Sequence, residues 1–139
     1  MDAMRDDTAT AMIHTTMPLC RRLGFEAELM TPAEVVLAVD WAADLCTSAD
    51  ALHGGLLMSL ADSAGGACAF ANLPSGAVGT STIESKTNFL GGALGGRFFA
   101  TARPLHIGST TIVIETEVRS DQGKLVTKTT QTQVVLRPR

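Results

Sequence analysis

At 139 residues, with 45% apolar and 18% charged residues and a formal net charge of −3, the chain has the size of one domain around a single core. The slightly acidic balance, with no basic arm or stripe, excludes nucleic acid as the expected partner. Cys20, Cys46 and Cys68 are odd in number and far apart, with no Cys-x-x-Cys pair, which argues against zinc, a redox motif or a disulfide framework and fits a reducing cytosol.

Met1 to Thr10 carries Asp2, Asp6 and Asp7 and lacks the basic-then-apolar order of a signal peptide, so a cytoplasmic location is expected. From Asp7 to Leu23, Ala11, Met12, Met17, Leu19 and Leu23 recur at roughly helical spacing before Gly24, which predicts an N-terminal helix over about 7–23 that Pro18 bends or divides. Phe25 to Met30 and Val35 to Trp41 flank Thr31-Pro32 and predict a hairpin. Ala42 to Leu52 has no clear period and reads as loop.

Leu56 to Phe70 is the most apolar stretch, interrupted by Asp62 and by Gly65-Gly66. It is too short to cross a bilayer and predicts a buried central helix over about 54–71. Its small residues, Ala61, Ala64, Gly65, Gly66, Ala67 and Ala69, are expected to let its backbone approach a sheet closely. Val78 to Leu90, Arg97 to His106, Thr110 to Ser120 and Leu125 to Leu136 are rich in Thr, Val, Ile and Phe and predict strands. Their short connections are expected to join antiparallel neighbours. The expected order is helix, hairpin, buried helix and four-strand meander, an α+β domain of two layers spanning residues 1–139.

Two features in the central helix carry chemistry. His53-Gly54-Gly55 places unpaired backbone N–H groups at a helix N-terminus, where an oxyanion forming from a carbonyl would be stabilised. The alternative is that the glycines only permit a tight turn. Asp62, the one charge between Gly54 and Phe70, is costly if buried unpaired and reads as a general base or nucleophile for acyl transfer. The alternatives are capping by Ser59 and Ser63 or a helix face open to water. Cys46 or Cys68 paired with a histidine is a weaker nucleophile, since a buried thiol is inert. His14, His53 and His106 lack metal-ligand spacing, so neither metal nor cofactor is expected.

The string His53-Gly54-Gly55-Leu56-Leu57-Met58-Ser59-Leu60-Ala61-Asp62-Ser63-Ala64 resembles the His-Gly-Gly…Asp signature of hotdog-fold acyl-CoA thioesterases of the phenylacetate-degradation (PaaI-type) family. The likeness continues through Thr82 to Leu90, His106-x-Gly108 and Asp121 to Val126. It implies a five- or six-stranded antiparallel sheet wrapped around one long helix, paired into dimers and dimers of dimers. The implied reaction is hydrolysis of an acyl-CoA, with an aryl-acyl or a short or medium-chain acyl group, to the free acid and CoA. Asp62 would activate water or attack the thioester, the Gly54 N–H would hold the carbonyl oxygen, and Thr82 would position water.

The remaining implied substrate contacts are His53, Gly55, Thr47, Arg103 and His106. Thr47 stands where many relatives place Asn or Gln and offers one donor instead of two. His53 reads as structural, a neutral imidazole bonded to backbone. Arg103 and His106 lead the candidates for the CoA phosphates, ahead of Arg97, Lys124 and Arg137. Gly54 and Asp62 are eight residues apart, ~12 Å along a helix at ~1.5 Å per residue. One carbonyl carbon cannot meet both on one chain, so a site using both is shared between subunits. The rival readings are a non-catalytic acyl-CoA-binding module and a hotdog hydratase, whose Asp-x-Asn-Pro-x-His run is missing.

Overall fold

Asp6 opens the first helix, α1 (Asp7–Thr16), by accepting the Ala9 N–H on its side chain at 2.9 Å, which satisfies one of the orphan donors of the first turn. This computed structural model describes residues 5–139. Residues 1–4, the start of the stretch read above for a leader, lie outside the described residues. Pro18 divides the expected 7–23 helix. It has no N–H to continue α1 and instead occupies the first position of a short second helix, α2 (Pro18–Arg22).

The hairpin β1 (Glu26–Met30) and β2 (Val35–Asp40) follows, closed by the Thr31 N–H donating to the Glu34 carbonyl at 3.0 Å. The expected loop contains two single 3-10 turns, Ala43–Leu45 and Ser48–Asp50. Ala49 and Asp50 both adopt positive φ there, at 61° and 57°, and the Trp41 indole N–H pins this turn by donating to the Asp50 carbonyl at 2.9 Å. The long helix α3 (Gly54–Phe70) and the strands β3 (Gly79–Phe89), β4 (Arg97–Ile107), β5 (Thr111–Ser120) and β6 (Leu125–Leu136) complete the chain.

All six strands form one antiparallel sheet in the order β1-β2-β4-β5-β6-β3. This corrects the expected meander. β4, β5 and β6 are consecutive hairpin neighbours, but β3 pairs with β6 along its length, from Gly79 opposite Leu136 to Phe89 opposite Thr127. The chain between β3 and β4 therefore crosses β6 and β5. β6, twelve residues long, offers a partner edge that β3 matches almost residue for residue.

α3 lies across the concave side of this sheet and buries Leu56, Leu57, Leu60, Ala61, Ala64 and Cys68 against β2, β4 and β5. Fully burying a leucine is worth about 1.5–3 kcal/mol, so this one face anchors the helix. α1 packs on β1, with Ile13 buried in the same core as Phe25. No described helix is long and apolar enough to cross a membrane.

Candidate active site

Asp62 lies midway along α3 on the side turned away from the core, and its side chain is open to solvent in the single chain. Of the alternatives open for Asp62, the helix face open to water is the one seen: the helix is apolar toward the sheet and admits a carboxylate on its other face. Neither Ser59 nor Ser63 caps it. Ser59 donates to the Gly55 carbonyl, and the Asp62 carboxylate is held from the sheet. The Thr82 hydroxyl donates to Oδ1 at 2.9 Å and the Gln131 amide donates to the same oxygen at 3.0 Å. Neither bond falls on Oδ2.

Thr82 reaches Asp62 because β3 carries a bulge. The pairing with β6 shifts between Thr82 and Glu84, so Ile83 is an extra residue and the inward set changes from Thr80 and Thr82 to Ser85, Thr87 and Phe89. Bulges re-aim side chains in this way beside functional sites. The Gln133 amide, opposite Thr82 on β6, donates to its hydroxyl oxygen at 2.5 Å. A relay results, in which Gln133 donates to Thr82 and Thr82 to Asp62. The threonine proton is committed to the carboxylate, and its oxygen keeps one lone pair able to accept from a water.

Gln131 and Gln133 were not singled out from the sequence, although both are fully buried. Gln131 also leaves its Oε1 buried without a partner and presses on α3 so closely that a Cβ at Gly65 would stand 1.8 Å from it. Buried polar groups without partners are uncommon and costly. Here the unpaired oxygen accompanies an amide turned to serve the carboxylate.

Asp62, Thr82 and Gln133 line a cleft of about 400 Å³ whose other walls are mainly apolar, with the hydroxyls of Thr16, Thr80 and Ser81 among them. α1 contributes Met12, Ile13 and Thr16, its junction with α2 contributes Met17, and α3 contributes Gly66, Ala67 and Phe70. The N-terminal helix, given no part in the site by the sequence, is a wall of the cleft.

The other expected residues cluster at the far end of α3. His53 is its N-cap, and its Nδ1 accepts the Gly55 N–H at 2.8 Å, which places the ring proton on Nε2 and removes one of the free donors. The Gly54 N–H donates to no acceptor among the described residues. A Cβ on Gly54 would meet the Phe89 ring at 3.1 Å, and one on Gly55 would meet the His53 ring at 3.0 Å, so both glycines are held to their size by aromatic neighbours. His53 and Gly55 line a second cleft of about 310 Å³. Thr47 is exposed in the preceding turn, its N–H bonded to the Ala51 carbonyl at 2.8 Å.

Arg103 and His106 lie on β4, with β5 and β6 between that strand and β3, so one chain does not bring them to Asp62. Arg103 pairs with Glu34 at 2.9 Å. Arg97 is held among Glu26, Glu28 and Asp40; burial lowers its pKa, but Asp40 and Glu26 outweigh that and raise it. Arg137 ties the Ser75 and Ser109 carbonyls together. None of the three free cysteines bonds to a histidine. Burial pushes the Cys68 thiol up to about 11, well away from a reactive thiolate. No group of His, Cys, Asp or Glu suited to a metal occurs among the described residues.

A six-stranded antiparallel sheet packed on one long helix, with a carboxylate half-way along that helix and bare glycines at its start, defines a hotdog-fold α+β protein. The chain belongs to the thioesterase superfamily, whose sequence profile matches residues 50–127, more than half of it. A Saccharolobus solfataricus protein that carries an esterase name is 38% identical over 86 residues. That match takes in 62% of this chain and 60% of the relative, less than two thirds of its length. Among solved structures, a thioesterase family protein from Silicibacter pomeroyi superposes with a TM-score of 0.84 at 26% identity, covering 93% of this chain and 96% of that one. A thioesterase from Haemophilus influenzae reaches the same TM-score at 19% identity, over 93% and 88% of the two chains, a likeness of fold.

Proposed function

We propose that the chain is a single-domain acyl-CoA thioesterase of the PaaI-type branch, acting in the cytoplasm as a dimer or dimer of dimers and without metal or cofactor. The observation that carries the reading is the Gln133–Thr82–Asp62–Gln131 network beside an apolar cleft. A carboxylate with one oxygen fixed by two donors and the other unengaged by them is oriented to act on a water or an acyl group. With the lone pair of Thr82 steering a water toward Oδ2, Asp62 takes its proton as the water oxygen adds to the thioester carbon. Collapse of the tetrahedral intermediate then breaks the carbon–sulfur bond, the proton held by Asp62 passes to the departing thiolate, and CoA and the free acid are released.

The oxyanion donor in this proposal is the Gly54 N–H of a second copy. β3 is an edge strand, eleven residues long, with Ile83 61% and Phe89 52% exposed, and such an edge invites pairing. β3 runs antiparallel to α3, so that Thr82 is level with Asp62 and Phe89 with Gly54. A twofold axis near the middle of β3 would pair the two edge strands antiparallel. The same axis would bring Gly54 of each copy level with Asp62 of the other, bridging the ~12 Å that separates them on one helix. Thr47, His53 and Gly55 stay proposed substrate contacts, and Arg103 and His106 the proposed partners of the CoA phosphates.

Asp62→Asn tests the reading, because the amide keeps the shape of the carboxylate but is neither base nor nucleophile. The variant should fold, bind acyl-CoA and lose most thiol release across a panel of acyl-CoA esters. Activity within about threefold of the unmodified protein would leave the carboxylate a structural role. Binding without hydrolysis by the unmodified protein would favour the non-catalytic module.

A further inference from the structure

The two adjacent glycines of α3 have different surroundings. Gly65 is buried against Gln131, whereas a Cβ added at Gly66 would meet nothing within 4 Å. Gly66 lines the cleft that begins at Asp62, so the expectation that it lets the helix approach the sheet is corrected. Mid-helix glycine is a poor helix former beside alanine. At Gly66 neither packing nor backbone conformation requires it, and what its hydrogen preserves is open volume.

Gly66 follows Asp62 by four residues and Phe70 follows Gly66 by four, so the three share one face of α3. They stand at ~6 Å intervals along its axis, and all three line the cleft. The polar groups Asp62, Thr82 and Gln133 gather at one end, while Met12, Met17 and Met30 supply much of the apolar wall. No Lys, Arg, His or Tyr lines it. The cleft offers no cation to a carboxylate, its further polar groups being the neutral hydroxyls of Thr16, Thr80 and Ser81, and unbranched thioether side chains adapt to a flexible apolar chain.

We propose that Gly66 sets the chain length of the acyl group, and that the cleft from Asp62 past Gly66 to Phe70 takes a neutral, medium-length aliphatic acyl chain. This assignment of substrate class rests on the thioesterase reading above. Taking the ~30 Å³ that a water occupies as the size of one methylene, the 400 Å³ cleft holds roughly eight to twelve carbons with some space unfilled. A side chain at Gly66 projects into that path one turn beyond the carboxylate, where it blocks the chain without touching Asp62 or Thr82.

Decanoyl-CoA and butyryl-CoA are compared as substrates of the unmodified protein, Gly66→Ala and Gly66→Val, with succinyl-CoA and 4-hydroxybenzoyl-CoA as polar controls. The decanoyl-to-butyryl ratio of kcat/KM is expected to fall about tenfold with alanine and about 100-fold with valine, the scale on which a pocket resists excess methylenes. The controls should be the poorest substrates of the unmodified protein. A ratio that moves by less than about threefold in both folded variants overturns the proposal, as does preference for either control. Should the unmodified protein hydrolyse none of these esters, calorimetry with decanoyl-CoA separates the two claims. Binding that Gly66→Val abolishes upholds the chain-length pocket and refutes the hydrolase. Equal affinity in both proteins, or no binding to the unmodified one, overturns the pocket too.

Discussion

Alanine at Gly65 and alanine at Gly66 should change stability in opposite directions, though the two positions are neighbours on one helix. At Gly65 the new Cβ would stand 1.8 Å from Oε1, 2.5 Å from Cδ and 3.0 Å from Nε2 of Gln131. Van der Waals contact needs about 3.5 Å, so the amide must retreat by about 1.7 Å. Its 3.0 Å bond to Asp62 then exceeds the ~3.5 Å limit of a hydrogen bond. The lost charge-assisted bond costs about 1.5 kcal/mol, the low end of its range because Asp62 is solvent-exposed. Overpacking adds about 1–3 kcal/mol, and the better helix former returns about 1 kcal/mol. The net loss is about 1.5–3.5 kcal/mol, or ~5–17 °C in Tm for a chain of this size.

Gly66→Ala meets no contact and keeps only the helix gain of about 1 kcal/mol, so its Tm should rise by ~3–5 °C. Circular dichroism melts at one fixed protein concentration read both values, since any oligomer makes Tm concentration-dependent. Adding Gln131→Ala to Gly65→Ala should restore part of the loss, because the clash and the amide vanish together. Equal shifts of the same sign in the two single variants would refute the assignment of Gln131 to the space over Gly65.

Thr82→Ala removes one of the two bonds on Oδ1 and the acceptor proposed to steer water. It should lower kcat by about one to two powers of ten with little change in KM, and an effect confined to KM would make Thr82 a binding residue. Stability should fall on the alkaline side. The Cys68 thiol is pushed up to about 11 by burial, while an unfolded thiol ionises near ~8.5. Between those values the unfolded chain holds fewer protons than the folded one, so the stability present below ~8.5 is lost as pH rises toward ~11. Urea midpoints for the unmodified protein and Cys68→Ala should diverge across that window, and parallel curves would contradict the role given to this thiol.

Every element was legible in the sequence, but their arrangement was only partly so. Alternation of Ile112, Ile114, Thr116 and Val118 with polar residues marks β5 plainly, and Pro18 marks the break between α1 and α2. The place of β3 beside β6 was hidden, because nothing local to Gly91–Gly96 separates a hairpin from a crossing of the sheet. The bulge at Ile83 was equally hidden, since one extra residue in a Thr- and Ser-rich strand leaves no break in composition. β6 is polar on both faces, with Thr127, Thr129, Gln131 and Gln133 inward and Lys128, Thr130 and Thr132 outward, so hydrophobic period could not show which set is buried. The turn at Asp121–Gly123 does not recover them either, because the β5–β6 pairing shifts between Val118 and Arg119, and only beyond that bulge do Gln131 and Gln133 stand opposite the apolar Ile114 and Ile112. Asp62 and Gly54 stood out because a charge in an apolar helix and bare N–H groups at its start are local features. The cleft wall did not, because α1 reaches the site only through the tertiary fold.

Whether one active site draws on two chains is tested most directly by mixing two inactive variants. Asp62→Asn lacks the carboxylate, and Gly54→Val places a branched side chain against the Phe89 ring, 3.1 Å from where its Cβ would stand, and over the donor. Each alone should be nearly inactive toward the preferred acyl-CoA. Unfolded and refolded together in equal amounts, about half of the dimers are mixed, and each mixed dimer gathers both lesions into one site and leaves the other whole. Activity should then recover to about a quarter of the unmodified level. Recovery no greater than the sum of the two parents, with exchange verified by mass spectrometry, would contradict a site built from Gly54 of one copy and Asp62 of the other.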